Sequence, residues 1–278
     1  MSTQEIRPGN LRIRATCFFL LLFWAAIFFG LKATYESGQS PITEPANRDK
    51  PYQDQRLGKQ IYIKPGDYYV GSDKEMDNKP LRMMTFRGFY IDIHPVTNGQ
   101  YVEFLSKSHY QPKGTFDMNE ARRFPGLPAA NLTYEDAAAY AAYFHKRLPT
   151  EWEWEIAARS LKKEVVYVSQ HLPHYQRGHF LFNKEYSRKP VFSYPPNELG
   201  IYGMAGNVFE WTSGKYQEKY LFGKHVYKFS MKVLRGGAWT NRALDIRTTT
   251  RTPFPASRCL EWIGFRCVRD RGVDLGVL

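Results

Sequence analysis

Three histidines lie close together in the segment 171–179, which reads HLPHYQRGH. The imidazoles of His171, His174 and His179 could together help to bind copper, iron or zinc. The segment contains no carboxylate or thiol that would complete a ligand set, and a solvated loop rich in Tyr and His would have the same composition. It therefore predicts either a transition-metal site or an ordinary surface loop.

Two arginines near the C-terminal end could form a binding groove. If the chain is extended there, Arg247, Thr249 and Arg251 project from one face. Together with Trp239 and Asn241 they would line a cleft for an acidic or peptide ligand, because guanidinium groups pair well with carboxylates. The alternative is that the two arginines only brace neighbouring loops.

The chain has three cysteines, Cys17, Cys259 and Cys267. Cys17 lies inside an apolar run, where we expect it to be inert. Cys259 and Cys267 could form one disulfide in an oxidising compartment, or they could be two buried free thiols. Their spacing permits a bridge without establishing one.

The N-terminal part has the composition of a membrane-insertion signal. Counted from 15 to 33, an apolar run reaches nearly the length needed to cross a hydrocarbon core of about 30 Å. A cleaved signal peptide is the competing interpretation, but no small-residue cleavage site follows the run. We therefore predict a basic N-terminus at 1–14, a transmembrane signal-anchor at 15–33, a polar linker at 34–56 and one domain at 57–278.

The charge distribution predicts the orientation and restricts the partners. Arg7, Arg12 and Arg14 precede the apolar run, so the positive-inside rule places the N-terminus in the cytoplasm. The domain is then periplasmic, on a single-pass protein of the inner membrane. The formal net charge of +12 favours anionic headgroups or acidic partners. We expect no nucleic-acid binding, since no recognisable motif is present.

Local patterns predict a loop-rich α+β domain. Alternating or aromatic segments predict strands at 61–63, 68–71 and 89–93. Three threonines that suit helix N-caps predict helices, with a capping box at the second and third; they are Thr97, Thr133 and Thr150. The 21 Gly and 17 Pro indicate many turns after the third helix.

Four motifs in a fixed order resemble the formylglycine-generating-enzyme (sulfatase-modifying factor) family. They are FYIDIHPVTNGQY at 89–101, TYEDAAAYAAYFHKRLPTEWEWEIAAR at 133–159, GIYGMAGNVFEWT at 200–212, and RGGAWTNRALDIRTTTRTPFPASRCLEWIGFRCVR at 235–269. The resemblance covers about residues 58–270. It implies a fold related to C-type lectins, with little regular secondary structure.

The resemblance also indicates where the family's chemistry should lie. In sulfatase activation, two cysteines after the RGG motif bind copper and help to oxidise a substrate cysteine with oxygen. By spacing, those positions hold Asn241 and Ile246, and neither side chain supplies a thiolate. The serine that usually follows RGG is Ala238. We therefore expect no catalytic residues for formylglycine generation.

A calcium site is implied by the resemblance at the segment GNVFEW. Its matching ligands are the backbone oxygens of Gly206 and Val208 and the carboxylate of Glu210, a donor set that suits Ca²⁺. The family's asparagine ligand aligns with Gly203, which departs from the pattern. Asn183 matches a second calcium position more weakly.

The same motifs contain residues that we expect to be structural. Trp154, Trp211 and Trp239 are most simply core aromatics whose indole N–H groups are hydrogen-bonded. Arg235 and Arg266 would need carboxylate or carbonyl partners if they are buried, and Glu210 is a candidate partner.

These observations predict a membrane-anchored accessory protein that binds a protein or peptide partner and lacks formylglycine-generating activity. The alternative is a metal-dependent oxidative maturation enzyme of the same family, using the histidines. Carbohydrate binding rests on the fold alone.

Overall fold

The computed structural model describes residues 58–73, 79–163, 165–168, 178–180, 187–216 and 231–272. The predicted signal-anchor at 15–33, the linker, His171, His174 and Asn183 lie outside these residues. Within the described part, no helix combines the length and the apolar character needed to cross a membrane. The anchor and its orientation therefore stay predictions.

The described strands form three small sheets. The strands are β1 (Gln60–Ile63), β2 (Gly66–Val70), β3 (Arg82–Phe86), β4 (Phe89–Asp92), β5 (Phe209–Lys215), β6 (Met231–Arg235), β7 (Thr252–Pro255), β8 (Ile263–Gly264) and β9 (Val268–Asp270). Antiparallel β1, β4 and β9 join the two ends of the domain, and β2 pairs with β3. The third sheet has the order β7-β6-β5-β8, in which β5 and β8 run parallel.

Four α-helices are described, α1 (Asn98–Ser108), α2 (Met118–Arg123), α3 (Tyr134–Tyr143) and α4 (Glu151–Ala158). The three predicted N-caps are confirmed, and each forms a capping box. α2 was not predicted, although Asp117 caps it by accepting from the backbone N–H groups of Asn119 and Glu120. The mixed α+β class and the many irregular connections are confirmed.

Two apolar clusters form the core. One surrounds α4 and the sheet of β1, β4 and β9, with the buried residues Ile63, Phe89, Ile91, Trp154, Ile156 and Val268. The other lies among α1, α3, β5 and β8, with Tyr101, Phe104, Tyr140, Trp211 and Phe265. The predicted core roles of Trp154 and Trp211 are thus confirmed.

α4 is buried on nearly all sides, with seven of its eight residues inside the domain. Three of the seven are glutamates, Glu151, Glu153 and Glu155. Because a buried carboxylate is costly unless it is paired, each of these side chains requires a cationic partner. These partners determine how the loops around the candidate site are held.

Candidate functional site

The loop after β6 carries the positions that align with the family's chemistry. We call residues 235–246 the RGG loop. Gly236 and Gly237 turn the chain with φ of +89° and +72°, a region that favours glycine. A Cβ on Gly237 would lie 2.5 Å from the Cγ2 of Ile246, and one on Gly236 would lie 3.1 Å from the ring of Trp154. The two glycines therefore allow the loop to pack directly on the core.

Asn241 and Ile246 have structural contacts in this loop. The Asn241 Oδ1 accepts from the backbone N–H of Ala238 at 2.9 Å, and the Asn241 N–H donates to the Ala238 carbonyl at 3.0 Å. Ile246 ends a 3₁₀ turn, Ala243–Ile246, and is only 2% exposed within the first apolar cluster. Neither position offers a thiolate for copper, because the Asn241 amide closes the loop and Ile246 fills the core.

Trp239 lies at the partly open side of the RGG loop. Its ring packs edge-to-face against Trp262, with 6.4 Å between the ring centroids. Its backbone N–H donates to the Asn207 carbonyl at 3.2 Å. The indole Nε1 is buried and has no hydrogen-bond partner in the structure. The site therefore contains an unsatisfied donor beside two half-buried aromatic rings, and the prediction that Trp239 is a core aromatic with a bonded N–H is wrong.

The predicted extended groove of Arg247, Thr249 and Arg251 is not present in that form. The chain turns there, since the Thr250 N–H donates to the Arg247 carbonyl at 3.1 Å. Arg251 instead forms a two-contact ion pair with Glu151, with Nη2 at 2.9 Å from Oε1. This contact agrees with the bracing alternative, and a place for Arg251 in a ligand groove stays a prediction.

Arg251 also belongs to a ladder of aromatic rings and guanidinium groups on this side of α4. Its guanidinium carbon lies 5.6 Å from the ring centroid of Trp152 and 5.2 Å from that of Tyr216. Arg82 covers Trp152 at 4.5 Å. Such contacts add to the ion pair in holding the arginine.

The turn at 247–251 forms around the buried side chain of Arg235. This guanidinium donates to the carbonyls of Thr248, Thr249 and Thr250 at 2.8, 2.7 and 2.9 Å. It also pairs with Glu155 of α4 at 2.6 Å, and neither side chain is exposed. Three carbonyls directed at one cation require a curved backbone, which explains why the segment is not extended.

Glu155 holds a second arginine as well. Its Oε1 pairs with Arg159 Nη2 at 2.8 Å and accepts from the Gly71 N–H at 2.7 Å. Sequence reasoning offered Glu210 as the partner of a buried arginine and missed Glu155. The available signal was the i,i+4 spacing of Glu155 and Arg159, at the end of a helix that has three glutamates and no cation of its own.

Glu210 was predicted as a candidate partner of Arg235 or Arg266, and it pairs with Arg266. Arg266 Nε lies 2.6 Å from Oε2 and Nη2 lies 2.8 Å from Oε1, and Trp154 Nε1 donates to Oε2 at 2.8 Å. Both carboxylate oxygens therefore accept from N–H groups. The predicted calcium set of Glu210 with Gly206 and Val208 stays a prediction.

Of the three histidines in the predicted site, the described residues include His179. His179 is buried, with its Nε2 2.6 Å from the Ser187 carbonyl oxygen and its Nδ1 3.3 Å from the Tyr194 hydroxyl. Its ring also stacks on Tyr194. Within the described ranges, no group of three or more His, Cys, Asp or Glu side chains could hold a metal ion. A transition metal at the histidine segment therefore stays a prediction.

Cys259 and Cys267 are free thiols in the structure. Cys267 is fully buried, and this burial raises the pKa of its thiol well above the ordinary value. Cys259 is partly exposed, with its Sγ 3.7 Å from the Thr115 hydroxyl. The free-thiol alternative therefore describes the structure.

His94 is a buried titratable group that sequence reasoning did not single out. Its Nδ1 lies 2.7 Å from the Pro95 carbonyl oxygen, and its Nε2 has no hydrogen-bond partner. Burial lowers the pKa of this imidazole, and the charges of Arg266 and Lys146 lower it further, against an opposing effect of Asp92. His94 is therefore held in the neutral form.

The family is decided by a sequence match that covers most of the chain. Residues 46–271 match the sequence model of the family described as "Sulfatase-modifying factor enzyme 1-like domain". The chain belongs to this family. The resemblance inferred from the four motifs is thus confirmed, and the cysteine positions of the family are those that hold Asn241 and Ile246 here.

A solved structure has the same fold. PvdO from Pseudomonas aeruginosa matches with a TM-score of 0.63 at 22% sequence identity, over 80% of this chain and 99% of that chain. At this identity the likeness concerns the fold and not the activity.

Two relatives differ in the share of their own length that matches this chain. "Serine/threonine-protein kinase Pkn1" of Chlamydia trachomatis serovar L2 is 32% identical over an alignment of 239 residues, and the match covers 77% of this chain and 38% of that protein. This chain therefore spans well under half the length of that relative. "Inactive C-alpha-formylglycine-generating enzyme 2" of Mus musculus is 29% identical over an alignment of 272 residues, and the match covers 76% of this chain and 86% of that protein.

Proposed function

We propose that this chain is a membrane-anchored, extracytoplasmic accessory protein that binds a protein or peptide partner and does not generate formylglycine. The observation that carries the proposal is the state of the RGG loop. Asn241 closes the loop through Ala238, and Ile246 is buried in the core. A copper ion at these positions would find no thiolate ligand. The mouse relative that is named inactive supports a role without this chemistry.

The partner surface that we assign is centred on Trp239, with Trp262 and the exposed Arg242 beside it. A buried N–H group without an acceptor costs roughly 1–3 kcal/mol, so the Trp239 indole favours any state that brings it an oxygen. A backbone carbonyl of a docked peptide would satisfy this donor once the Trp239 ring turns outward, because Nε1 is buried in the structure. Tryptophan and arginine are also the residues that most often dominate binding energies at interfaces. Arg247 adjoins this surface in sequence, whereas Arg251 is held by Glu151.

Crosslinking in cells tests the surface. A photoreactive amino acid is introduced at Arg242 of the full chain, and the control chain carries it at Met83, which is 56% exposed elsewhere on the domain. We expect one discrete adduct from position 242 and none from position 83. Trp239→Phe keeps the ring but removes the N–H donor, and should reduce the adduct severalfold. Trp152→Phe, at another half-buried tryptophan, should leave it unchanged.

An oxygen-consumption assay tests the absence of the family's chemistry. The full chain is supplied with copper and a cysteine-containing sulfatase peptide. We expect no oxygen uptake above the background and no aldehyde on the peptide. Copper-dependent uptake with aldehyde formation would replace the accessory role with an enzymatic one.

The location is tested by reporter fusions at the C-terminus. If residues 15–33 are a signal-anchor, a fused alkaline phosphatase is active and the chain stays in the membrane after alkaline washing. Release by the wash would indicate a cleaved signal, and an inactive phosphatase would contradict the extracytoplasmic placement.

A further inference from the structure

The outer face of the sheet formed by β1, β4 and β9 carries a row of aromatic and basic side chains. The strand register places Tyr62, Tyr90 and Arg269 side by side across the three strands, and all three are half-buried. One position along, Ile63 and Phe89 are buried in the first apolar cluster. Because side chains alternate between the two faces of a strand, the row lies on the solvent side of the sheet.

Each tyrosine ring of this row lies beside a guanidinium group. The Cζ of Arg269 lies 4.4 Å from the ring centroid of Tyr90, and the Cζ of Arg271 lies 5.9 Å from that of Tyr62. The two ring centroids are 4.9 Å apart. Lys64 directly follows β1, and both Lys64 and Arg271 are exposed. We call Tyr62, Lys64, Tyr90, Arg269 and Arg271 the terminal-sheet face.

The acidic residues of the same three strands do not cancel this positive charge. They are Asp92 and Asp270. Asp92 is buried and pairs with Lys146 at 2.8 Å, and Asp270 pairs with Arg147 at 2.6 Å. Each acid thus has a cation outside the terminal-sheet face, and the face keeps a net positive charge.

The place of this sheet in the chain connects it to the predicted anchor. The described residues begin at Gly58, two positions before β1, and end at Gly272, two positions after β9. The predicted linker at 34–56 joins the anchor to β1, and a chain of that length spans at most about 80 Å. A tether of this kind gives the domain a high effective concentration at the bilayer, so individually weak contacts are enough to hold it there.

Anionic lipid headgroups fit this combination of side chains. Phosphate oxygens pair with guanidinium and ammonium groups, and each arginine or lysine at an anionic bilayer strengthens binding about fivefold. Tyrosine rings favour the headgroup level of a bilayer, because one end of the ring is apolar and the other is polar. Tyr62, Lys64 and Arg271 lie outside the four family motifs, so this part of the face is not explained by the pattern that the family shares.

We infer that the terminal-sheet face binds the anionic headgroups of the bilayer that holds the chain. This inference rests on the anchor of the proposed function, and it adds the surface that the domain turns to the membrane. The contact weakens as the salt concentration rises, because salt screens charges at the bilayer surface.

Photocrosslinking of the full chain in lipid vesicles tests this inference. Benzoylphenylalanine replaces Tyr62 and keeps an aromatic ring there, and the vesicles contain a radiolabelled phospholipid with or without anionic phosphatidylglycerol. The control chain carries the probe at Met83, which is exposed on β3. We expect lipid adducts at position 62 that increase severalfold with phosphatidylglycerol and fall with salt, and no such dependence at position 83. Equal labelling of the two positions, or labelling at position 62 that does not depend on the headgroup charge, would overturn the inference.

Charge substitutions separate the terminal-sheet face from the overall charge of the domain. Lys64→Gln combined with Arg271→Gln should reduce the adduct at position 62 at least about fivefold. Arg122→Gln combined with Arg123→Gln removes the same charge from the exposed end of α2 and should leave the adduct unchanged. Lys64→Arg combined with Arg271→Lys keeps the charge and should keep the adduct. An equal loss in the two glutamine pairs would show that only the net charge matters and would contradict a dedicated face.

An alkaline wash of the same vesicles distinguishes a failure of the anchor from a failure of the face. A chain that stays after the wash but shows no charge-dependent adduct at position 62 keeps the anchor and refutes the terminal-sheet face. A chain that is released by the wash, yet forms the adduct before it, contradicts the anchor and supports the face.

Discussion

Substitution of Glu155 by glutamine should destabilise the domain more than any conservative change at an exposed ion pair. Glu155 is fully buried and receives Arg235 at 2.6 Å, Arg159 at 2.8 Å and the Gly71 N–H at 2.7 Å. The amide of glutamine can still accept from Gly71, but it leaves two guanidinium charges without a counter-charge.

The expected loss follows from the number of contacts. Removing one partner of a buried ion pair costs about 3–5 kcal/mol, because the other charge stays buried and unpaired. Glu155 serves two arginines, so we expect the upper part of that range, about 4–5 kcal/mol. Since small domains are stable by about 5–15 kcal/mol, the variant should be marginal but measurable.

Urea unfolding monitored by tryptophan fluorescence measures this loss, because Trp154 is the neighbour of Glu155 in α4. Glu198→Gln is the matched control, since Glu198 forms an exposed pair with Lys162 and should lose about 0–1 kcal/mol. If Glu155→Gln does not fold, Arg159→Met gives the informative value, because it leaves the pair with Arg235 intact. A loss below about 1 kcal/mol in Glu155→Gln would refute the reasoning.

Three further predictions concern the RGG loop and the buried histidine. Gly237→Ala should lower the free energy of unfolding by more than about 2 kcal/mol, because the alanine would combine a positive φ with a clash against Ile246. Gly272→Ala is the control in the same urea assay: with a φ of +92° and open space around it, it should show only the loss due to the positive φ. Ile246→Cys should lower the free energy of unfolding by about 1–3 kcal/mol through the cavity it leaves, and an unchanged value would contradict the burial of this position. Burial lowers the pKa of His94 below its ordinary 6.5 in the folded state, so the unfolded chain binds the proton first as the pH falls. The free energy of unfolding should thus fall from about pH 6.5 downward. Urea unfolding of His94→Gln at a series of pH values should show a smaller fall below that pH and the same pH dependence as the unsubstituted chain above about pH 7.5. An unchanged pH dependence below about pH 6.5 would refute the assignment to His94.

Local features of the fold could be predicted from the sequence. The N-caps Thr97, Thr133 and Thr150 are confirmed because a capping box depends on residues only three positions apart. The family could also be recognised, since its motifs are contiguous segments, and its missing cysteines followed from residue identities at Asn241 and Ile246. The anchor at 15–33 is likewise a property of composition and stays a prediction.

The pairing of buried charges was decided by the tertiary structure. Arg235 and Glu210 are opposite each other in the β5–β6 register, yet Arg235 pairs with Glu155 and Glu210 pairs with Arg266. These partners are 80 and 56 positions apart in the chain, so no local pattern selects among them. Arg235 also donates to the carbonyls of Thr248, Thr249 and Thr250, and the chain turns around this side chain before Arg251. A buried charge takes whichever counter-charge the packing of the core brings within reach, and that proximity exists only after the helix α4 and the strands have come together.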